Sequence, residues 1–329
     1  MVNPEDEYRH ACPQEIQHLL WGDTLWVSVV DREANIFGIN HFHLTNKGYA
    51  RYEALYIIDG VMQLWGNKVP LGVEVDQGPW TDGRLSYEVI KPHEEIRIQF
   101  DGPCFGFDQT FRGRFPIFDY HDSVNGNPLG RFHNYGGHFE QAMHCTGDFE
   151  IRGGPCKGET RKLDSWSHRD HSWSTRFADQ LPWEPEHGDY PSHFWPSIQL
   201  EDKHINAFGI MQLGGMGLPE GEKPVGGFCS TKDGSRPILG ATAEILTEEN
   251  RRDAAAFRYE ITMPDGEVIH VRTGRKHGQV KLWDRGENDL ENRFDCYEPF
   301  FDFEVEETGE RGYGVAEYSI QPVSPRWMA

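Results

Sequence analysis

The sequence predicts an all-β protein made of two similar antiparallel β-barrels or sandwiches. Aromatic and β-branched residues alternate with polar ones along most of the chain, as in strands with one face on a core. Helical periodicity is nearly absent. Two strand-rich runs of similar length flank residues 179–196 (DQLPWEPEHGDYPSHFWP), whose four prolines no regular element tolerates well. The expected organisation is an N-terminal domain over 1–178, a Pro-rich crossover over 179–196 and a C-terminal domain over 197–329.

The elements follow in order. From Thr24, "TLWVSVVD", "NIFGINHFHL", "RYEALYII" and "VMQLWG" are separated by Arg-Glu-Ala, Thr-Asn-Lys-Gly and Asp-Gly, which are turn signals, so this run reads as a β-meander. Alternation continues through "RLSYEVI", "EIRIQF", "CFGFDQTFRGRF", "HFEQAMHCTGDFEI" and "KLDSWSHRDHSW". Only "CPQEIQHLL" and Thr247 to Ala256 allow a turn or two of helix. Beyond the crossover, "SIQLEDKHINAFGIMQL", "VGGFCSTKDGSRPILGATAEIL", "AFRYEITMPDGEVIHVRTG", "HGQVKLWDRG", "ENRFDCYEPFFDFEVEE" and "GYGVAEYSI" alternate again. In "MPDGEVI" the Asp-Gly pair suits a type I′ hairpin turn.

Composition narrows the function. The 329 residues carry 32 Lys and Arg against 53 Asp and Glu, a net charge of -21. Such a surface repels phosphate backbones and anionic headgroups, which argues against a nucleic-acid partner. The opening "MVNPEDEYRHACP" has acidic residues and no apolar core, and no apolar run reaches membrane-spanning length, so a cytoplasmic protein without membrane insertion is expected. Six cysteines (Cys12, Cys104, Cys145, Cys156, Cys229, Cys296) show no C-x-x-C spacing and read mostly as small buried hydrophobes. There is no Gly-rich phosphate loop ahead of a helix and no Gly-x-Ser-x-Gly elbow, which disfavours nucleotide-dependent and covalent-nucleophile chemistry. An aromatic content of 13% suits a barrel that holds an apolar small molecule, or simply two aromatic cores.

Four stretches carry a family resemblance: residues 24–60, "GGHFEQAMHCTGDFEI" (136–151), "SWSHRDHSWSTR" (165–176) and "GYGVAEYSI" (312–320). Together they resemble the two-domain lipocalin-like (AttH-like) proteins related to hydroxyneurosporene synthase, or carotenoid 1,2-hydratase. The Arg-Asp-His-Ser-Trp pentapeptide and the late Glu-Tyr are the distinctive parts. The resemblance implies two calycin-like β-barrels packed together with a cavity for a ligand. It also implies hydratase or cyclase chemistry on terpenoid or polyene substrates, with no metal or organic cofactor. The pentapeptide is followed by Ser174-Thr-Arg rather than the expected Gly-Pro-Arg, which bears on the turn after it.

The candidate site is read from the strand period. In 165–173, Trp166, His168, Asp170 and Ser172 project from one face and Ser167, Arg169, His171 and Trp173 from the other. Asp170 is the candidate general acid or base, with burial raising its pKa, and His171 its partner or an independent base. Trp166 or Trp173 would stabilise a carbocation through the ring face, and His168 and Arg169 would help to bind substrate. The competing reading is a buried Arg169–Asp170 or His–Asp network that fixes the strand. On 136–145, His138 and Glu140 share a face and offer acid/base groups. His41 and His43 share a face in the manner of a metal-binding strand, but no matching second motif follows. Tyr318 is a candidate hydrogen-bond donor.

Three functions stay open at this point. One is a cofactor-independent lyase or isomerase (hydratase, dehydratase or cyclase) acting on a hydrophobic terpenoid-, steroid- or polyketide-like substrate. Another is a non-catalytic lipocalin-like carrier, whose polar groups would be satisfied by one another. The third is a metal-dependent β-barrel enzyme. A homodimer is open in each case.

Overall fold

The structure is a computed structural model that describes residues 2–18, 21–46, 48–70, 80–124, 136–175, 192–211, 225–248, 253–284 and 295–320. The chain divides into two compact units. One comprises Met1–Asp122, Gly130–Gln180 and Thr231–Ser235; the other comprises Ser123–Leu129, Leu181–Ser230 and Arg236–Ala329. Both are antiparallel β, and no helix among the described residues is long and apolar enough to cross a membrane.

The first sheet contains β1 (Trp21–Asp31), β2 (Ile36–Thr45), β3 (Tyr49–Ile58), β4 (Val61–Pro70), β5 (Trp80–Thr81), β6 (Leu85–Lys91), β7 (Glu95–Asp101), β8 (Phe105–Gly113), β9 (Phe118–Asp119), β10 (Gly137–Ile151) and β11 (Thr160–Thr175). The second contains β12 (Ser192–Gln199), β13 (Lys203–Met211), β14 (Val225–Thr231), β15 (Gly234–Pro237), β16 (Gly240–Thr247), β17 (Ala254–Thr262), β18 (Val268–Asp284), β19 (Asp295–Val305) and β20 (Arg311–Ile320). Their orders are β4-β3-β2-β1-β11-β10-β8-β7-β6-β5, with β9 beside β10, and β15-β14-β13-β12-β20-β19-β18-β17-β16. Both sheets therefore follow one plan. Four strands meander outward, the rest return from the opposite edge, and the first strand pairs with the last. Each sheet curls strongly into a half-barrel, so that β3 touches β6 and β13 touches β16 without pairing.

Turn chemistry sets the hairpins. At Asp59-Gly60 both central residues have positive φ (51° and 77°) between the paired Ile58 and Val61, the two-residue I′ turn that matches strand twist. The "MPDGEVI" hairpin is different from its expected I′ turn. Gly266 N–H donates to Met263 O, Met263 N–H donates to Glu267 O, and only Gly266 has positive φ. Pro264 holds its φ negative at the first central position, which selects a type I turn closed by a glycine bulge.

Two further expectations need correction, and a third, the turn of helix in "CPQEIQHLL", is met. Thr247 to Ala256 forms no helix among its described residues; β16 ends at Thr247 and β17 opens at Ala254, because alternating burial of Ala254, Phe257, Tyr259 and Ile261 draws the segment into the sheet. "CPQEIQHLL" keeps only a short 3-10 turn at Gln14–Ile16. Of the cysteines, Cys145, Cys229 and Cys296 are buried, but Cys12 and Cys156 are half-buried and Cys104 is exposed; all are free thiols. Within 179–196, β12 opens at Ser192, and 179–191 lies outside the described residues.

Each curl wraps its own core. In the first unit Leu25, Val27, Val29, Phe42, Met143 and Phe149 contribute to it; in the second, Phe194, Phe257, Phe301 and Tyr318 do so. Gly38 is a close approach inside the first core. A Cβ there would lie 2.4 Å from the ring of its cross-strand partner Tyr56, whose hydroxyl accepts from Asn40 Nδ2 (2.9 Å) and donates to Gln109 Oε1 (3.4 Å). Gly38→Ala is expected to lower unfolding free energy by ~1–3 kcal/mol through overpacking, read from urea denaturation as a lower midpoint with an unchanged slope.

Candidate functional site

Strands β10, β11 and β1 lie side by side, with Asp170 opposite both Glu140 and Trp26. The alternation read from the sequence holds: Arg169, His171 and Trp173 lie on the core side with Phe139 and Gln141, and His168 and Asp170 lie on the other side with His138 and Glu140. Around Asp170 this second face is largely shielded from solvent. His138, Glu140 and His168 are buried, and β1 and β2 are buried along their whole length.

Burying titratable groups requires pairing, and the second face does so in a chain. His138 Nε2 lies 2.6 Å from Asp170 Oδ2 and 3.1 Å from Glu140 Oε1, while Glu140 Oε2 lies 3.0 Å from His168 Nε2. The Tyr120 ring stacks on His138 (centroids 4.1 Å apart, 15° between planes), and the Trp26 ring meets His168 edge-on. Burial opposes a charge on His138, but Asp170 and Glu140 outweigh it and push its pKa up to about 10. Burial would raise the Glu140 pKa; hydrogen bonds from His138 and His168 hold it below the ordinary carboxylate value. His138 Nδ1 is buried with no hydrogen-bond partner among the described residues. Asp170 is the most open member of the chain, its side chain 16% exposed.

The core side carries two other pairs, both completed by the N-terminal segment. Arg169 donates to Glu7 in a bidentate pair (Nη1–Oε2 2.6 Å, Nη2–Oε1 2.8 Å), to Gln141 Oε1 and to the Tyr87 hydroxyl. Glu7 also accepts from His93 N–H at 2.6 Å. Burial works against the Glu7 carboxylate, yet Arg169 keeps its pKa below the ordinary value. Asp23 accepts from His171 Nε2 (2.9 Å) and from His10 N–H (2.6 Å). Burial would raise its pKa, but these histidines hold it down at about 2. The His10 ring stacks on Trp173 at 3.7 Å.

Asp170 and His171 are therefore not partners. Adjacent residues of a strand point to opposite faces, and each pairs elsewhere, Asp170 with His138 and His171 with Asp23. The Arg169–Asp170 network is likewise replaced, because Arg169 pairs with Glu7. Trp166 is half-buried, with the Arg114 guanidinium 4.2 Å from its ring centroid. Tyr318 lies in the second unit, where its hydroxyl accepts from Ala254 N–H at 2.9 Å. His41 is tied to Glu53 at 2.8 Å, and its ring sits 6.1 Å from that of His43. Thr175 continues β11 opposite Trp21 where a turn was in question. Sequence reasoning missed Glu7, His10, Asp23 and Gln141. A buried Arg requires an acid, but the acid lies 162 positions away, beyond any local pattern.

Two groups here have donor atoms within 4.8 Å of one another and could hold a metal: His10, Asp23 and His171, and His138, Glu140 and Asp170. Each offers imidazole and carboxylate donors of the kind that zinc or iron takes.

Paired half-barrels of one topology, the first with a second face of buried ion pairs, define a class of two-unit all-β proteins. Residues 3–322 match the domain of unknown function DUF7064, and the chain belongs to that family. No curated protein matches it. Two solved structures share the fold: CghA with Sch210972 (TM-score 0.60, 10% identity, covering 92% of this chain and 88% of that one) and CghA without a named ligand (TM-score 0.59, 10% identity, 92% and 87%). At this identity the likeness is one of fold.

Two outcomes are expected. Arg169→Met strands the Glu7 carboxylate and lowers stability by ~3–5 kcal/mol, whereas Glu7→Gln with Arg169→Met regains most of it, measured by urea denaturation at pH 7. His138 has a raised folded-state pKa, so its contribution is complete below about pH 6.5 and is lost as pH rises through about 10. The difference in stability between wild type and His138→Gln should shrink across that window.

Proposed function

We propose that this protein is a cofactor-independent lyase or isomerase of the cytoplasm that acts on a hydrophobic terpenoid-, steroid- or polyketide-like substrate, with Asp170 as the group that handles the proton. The observation that carries this reading is the exposure of Asp170 at the end of an otherwise buried chain of ion pairs. A His138 pKa near 10 makes that residue a poor proton donor at neutral pH. It acts instead as a fixed cation that orients the Asp170 carboxylate. The carboxylate takes a proton from one substrate atom and returns it to another, a balanced exchange that needs no outside reductant or oxidant. Isomerisation or proton-assisted cyclisation fits this better than alkene hydration, which needs a strong acid at the start. Trp166 lies on the same face of β11, four positions from Asp170.

Two further lines support the reading. The sequence resembles the terpenoid hydratase relatives, and a protein of the same fold has been solved with the small molecule Sch210972. His171, Arg169 and Trp173 become positioning residues on the core side, and Tyr318 lies apart from this centre.

One observation favours the carrier instead: the buried charges already satisfy one another, as His138 with Asp170 and Arg169 with Glu7. Incubation with a panel of terpenoids, steroids and linear polyketides, followed by mass spectrometry, separates the two. For the enzyme, one compound is converted and Asp170→Asn slows conversion by ~10²–10⁴-fold while binding persists. Tight binding without conversion in wild type or variant would establish the carrier.

A further inference from the structure

The second unit holds a cluster that this function does not use. His193 on β12, Glu317 on β20 and Cys296 on β19 come from three neighbouring strands. Phe194 pairs with Tyr318 and Cys296 with Ser319, and Phe194 and Tyr318 belong to the core. The three residues therefore project from the other side. His193 Nε2 lies 2.5 Å from Glu317 Oε1, and one donor atom from each of the three residues lies within 4.8 Å of the others. Cys296 is buried, while the His193 and Glu317 side chains are 17% and 15% exposed, so the cluster has a thiol floor and a rim reached by solvent.

We propose that His193, Cys296 and Glu317 bind a zinc ion, with water in the fourth position. Imidazole nitrogen, thiolate sulfur and carboxylate oxygen together are a zinc donor set. A soft thiolate is a poor ligand for the hard cations that an all-oxygen site would take. Three protein ligands leave tetrahedral zinc one open position, as in zinc sites that polarise a bound water. Ser319 supplies the support that a ligating histidine needs: its Oγ lies 2.9 Å from His193 Nδ1, so Nδ1–H donates to Oγ and Nε2 faces the metal. Coordination sends the Cys296 thiol proton to solvent and leaves the imidazole proton on Nδ1. The Zn²⁺ charge balances thiolate and carboxylate, so the filled site is neutral. The three donors stand on neighbouring paired strands, within 4.8 Å of one another.

The test uses the full chain, stripped with a chelator under reducing conditions, reloaded with zinc sulfate, desalted and analysed for metal by mass spectrometry. Wild type and Asp170→Asn should each retain one zinc per chain. Cys296→Ser and His193→Ala should retain almost none, and Glu317→Gln should bind at least ~10-fold more weakly. Cobalt loading should give a thiolate-to-cobalt charge-transfer band in wild type that Cys296→Ser lacks, with far-UV circular dichroism confirming that each variant folds. If His193→Ala fails to fold, the cobalt comparison between wild type and Cys296→Ser decides. Failure of wild type to retain zinc would overturn the proposal. Zinc kept in full by Cys296→Ser, or lost in Asp170→Asn, would also overturn it by placing any metal elsewhere.

Discussion

Asp23, Glu140 and Arg169 on the central strands of the first unit are removed from water, and a charge so placed must meet its opposite. The consequences run through the whole unit. Arg169 on β11 requires Glu7, so residues 3–10 are drawn against the sheet; Asp23 requires His171 and takes the His10 backbone N–H as well. On the opposite face the same requirement joins Asp170, His138, Glu140 and His168 into one chain. The apolar core and the ionic face are thus two sides of the same few strands. Replacing such pairs by hydrocarbon often leaves stability unharmed, so their presence is not explained by stability alone.

The fold was legible where the signal was local. Period-two alternation located the strands on both sides of the crossover, and turn residues located most hairpins. Alternation also assigned Asp170 and His171 to different faces, since that follows from strand geometry alone. Three things were not legible. "HFHL" and "SHRDH" have the alternation of half-solvated strands, yet both faces are buried, because amphipathic pattern reports polarity and not exposure. Pairing partners such as Glu7 and Asp23 lie far away in sequence, so nothing near Arg169 or His171 points to them. The Asp265-Gly266 turn was misread because Pro264 one position earlier decides the turn type.

The two sheets share more than an order of strands. In the first, Trp26, Asp170 and Glu140 stand in one row across β1, β11 and β10. In the second, Trp195 and Glu317 stand in the corresponding row across β12 and β20. One step along, Ser172 pairs with His138 and Ser319 with Cys296. An aromatic, a carboxylate and a neighbouring serine thus recur at equivalent positions, while the residue beside the serine is histidine in one sheet and cysteine in the other. The sheets also differ on their first strands, where Thr24 stands opposite Ser172 in one and His193 bonds Ser319 in the other, and the two roles we propose, proton handling and metal binding, follow those differences. The repetition is of framework and the divergence is of chemistry.

Pairing of the first strand of each sheet with its last has a consequence for biosynthesis. When β1 leaves the ribosome, the partner for one of its edges is still about 140 residues from being made, a delay of roughly 7–30 s at ~5–20 residues per second. During that interval "LWVSVV" presents an open, strongly apolar edge of the kind that recruits other chains. β12 waits similarly for β20. The nascent chain therefore passes twice through an interval in which one edge of a sheet's first strand has no partner yet made.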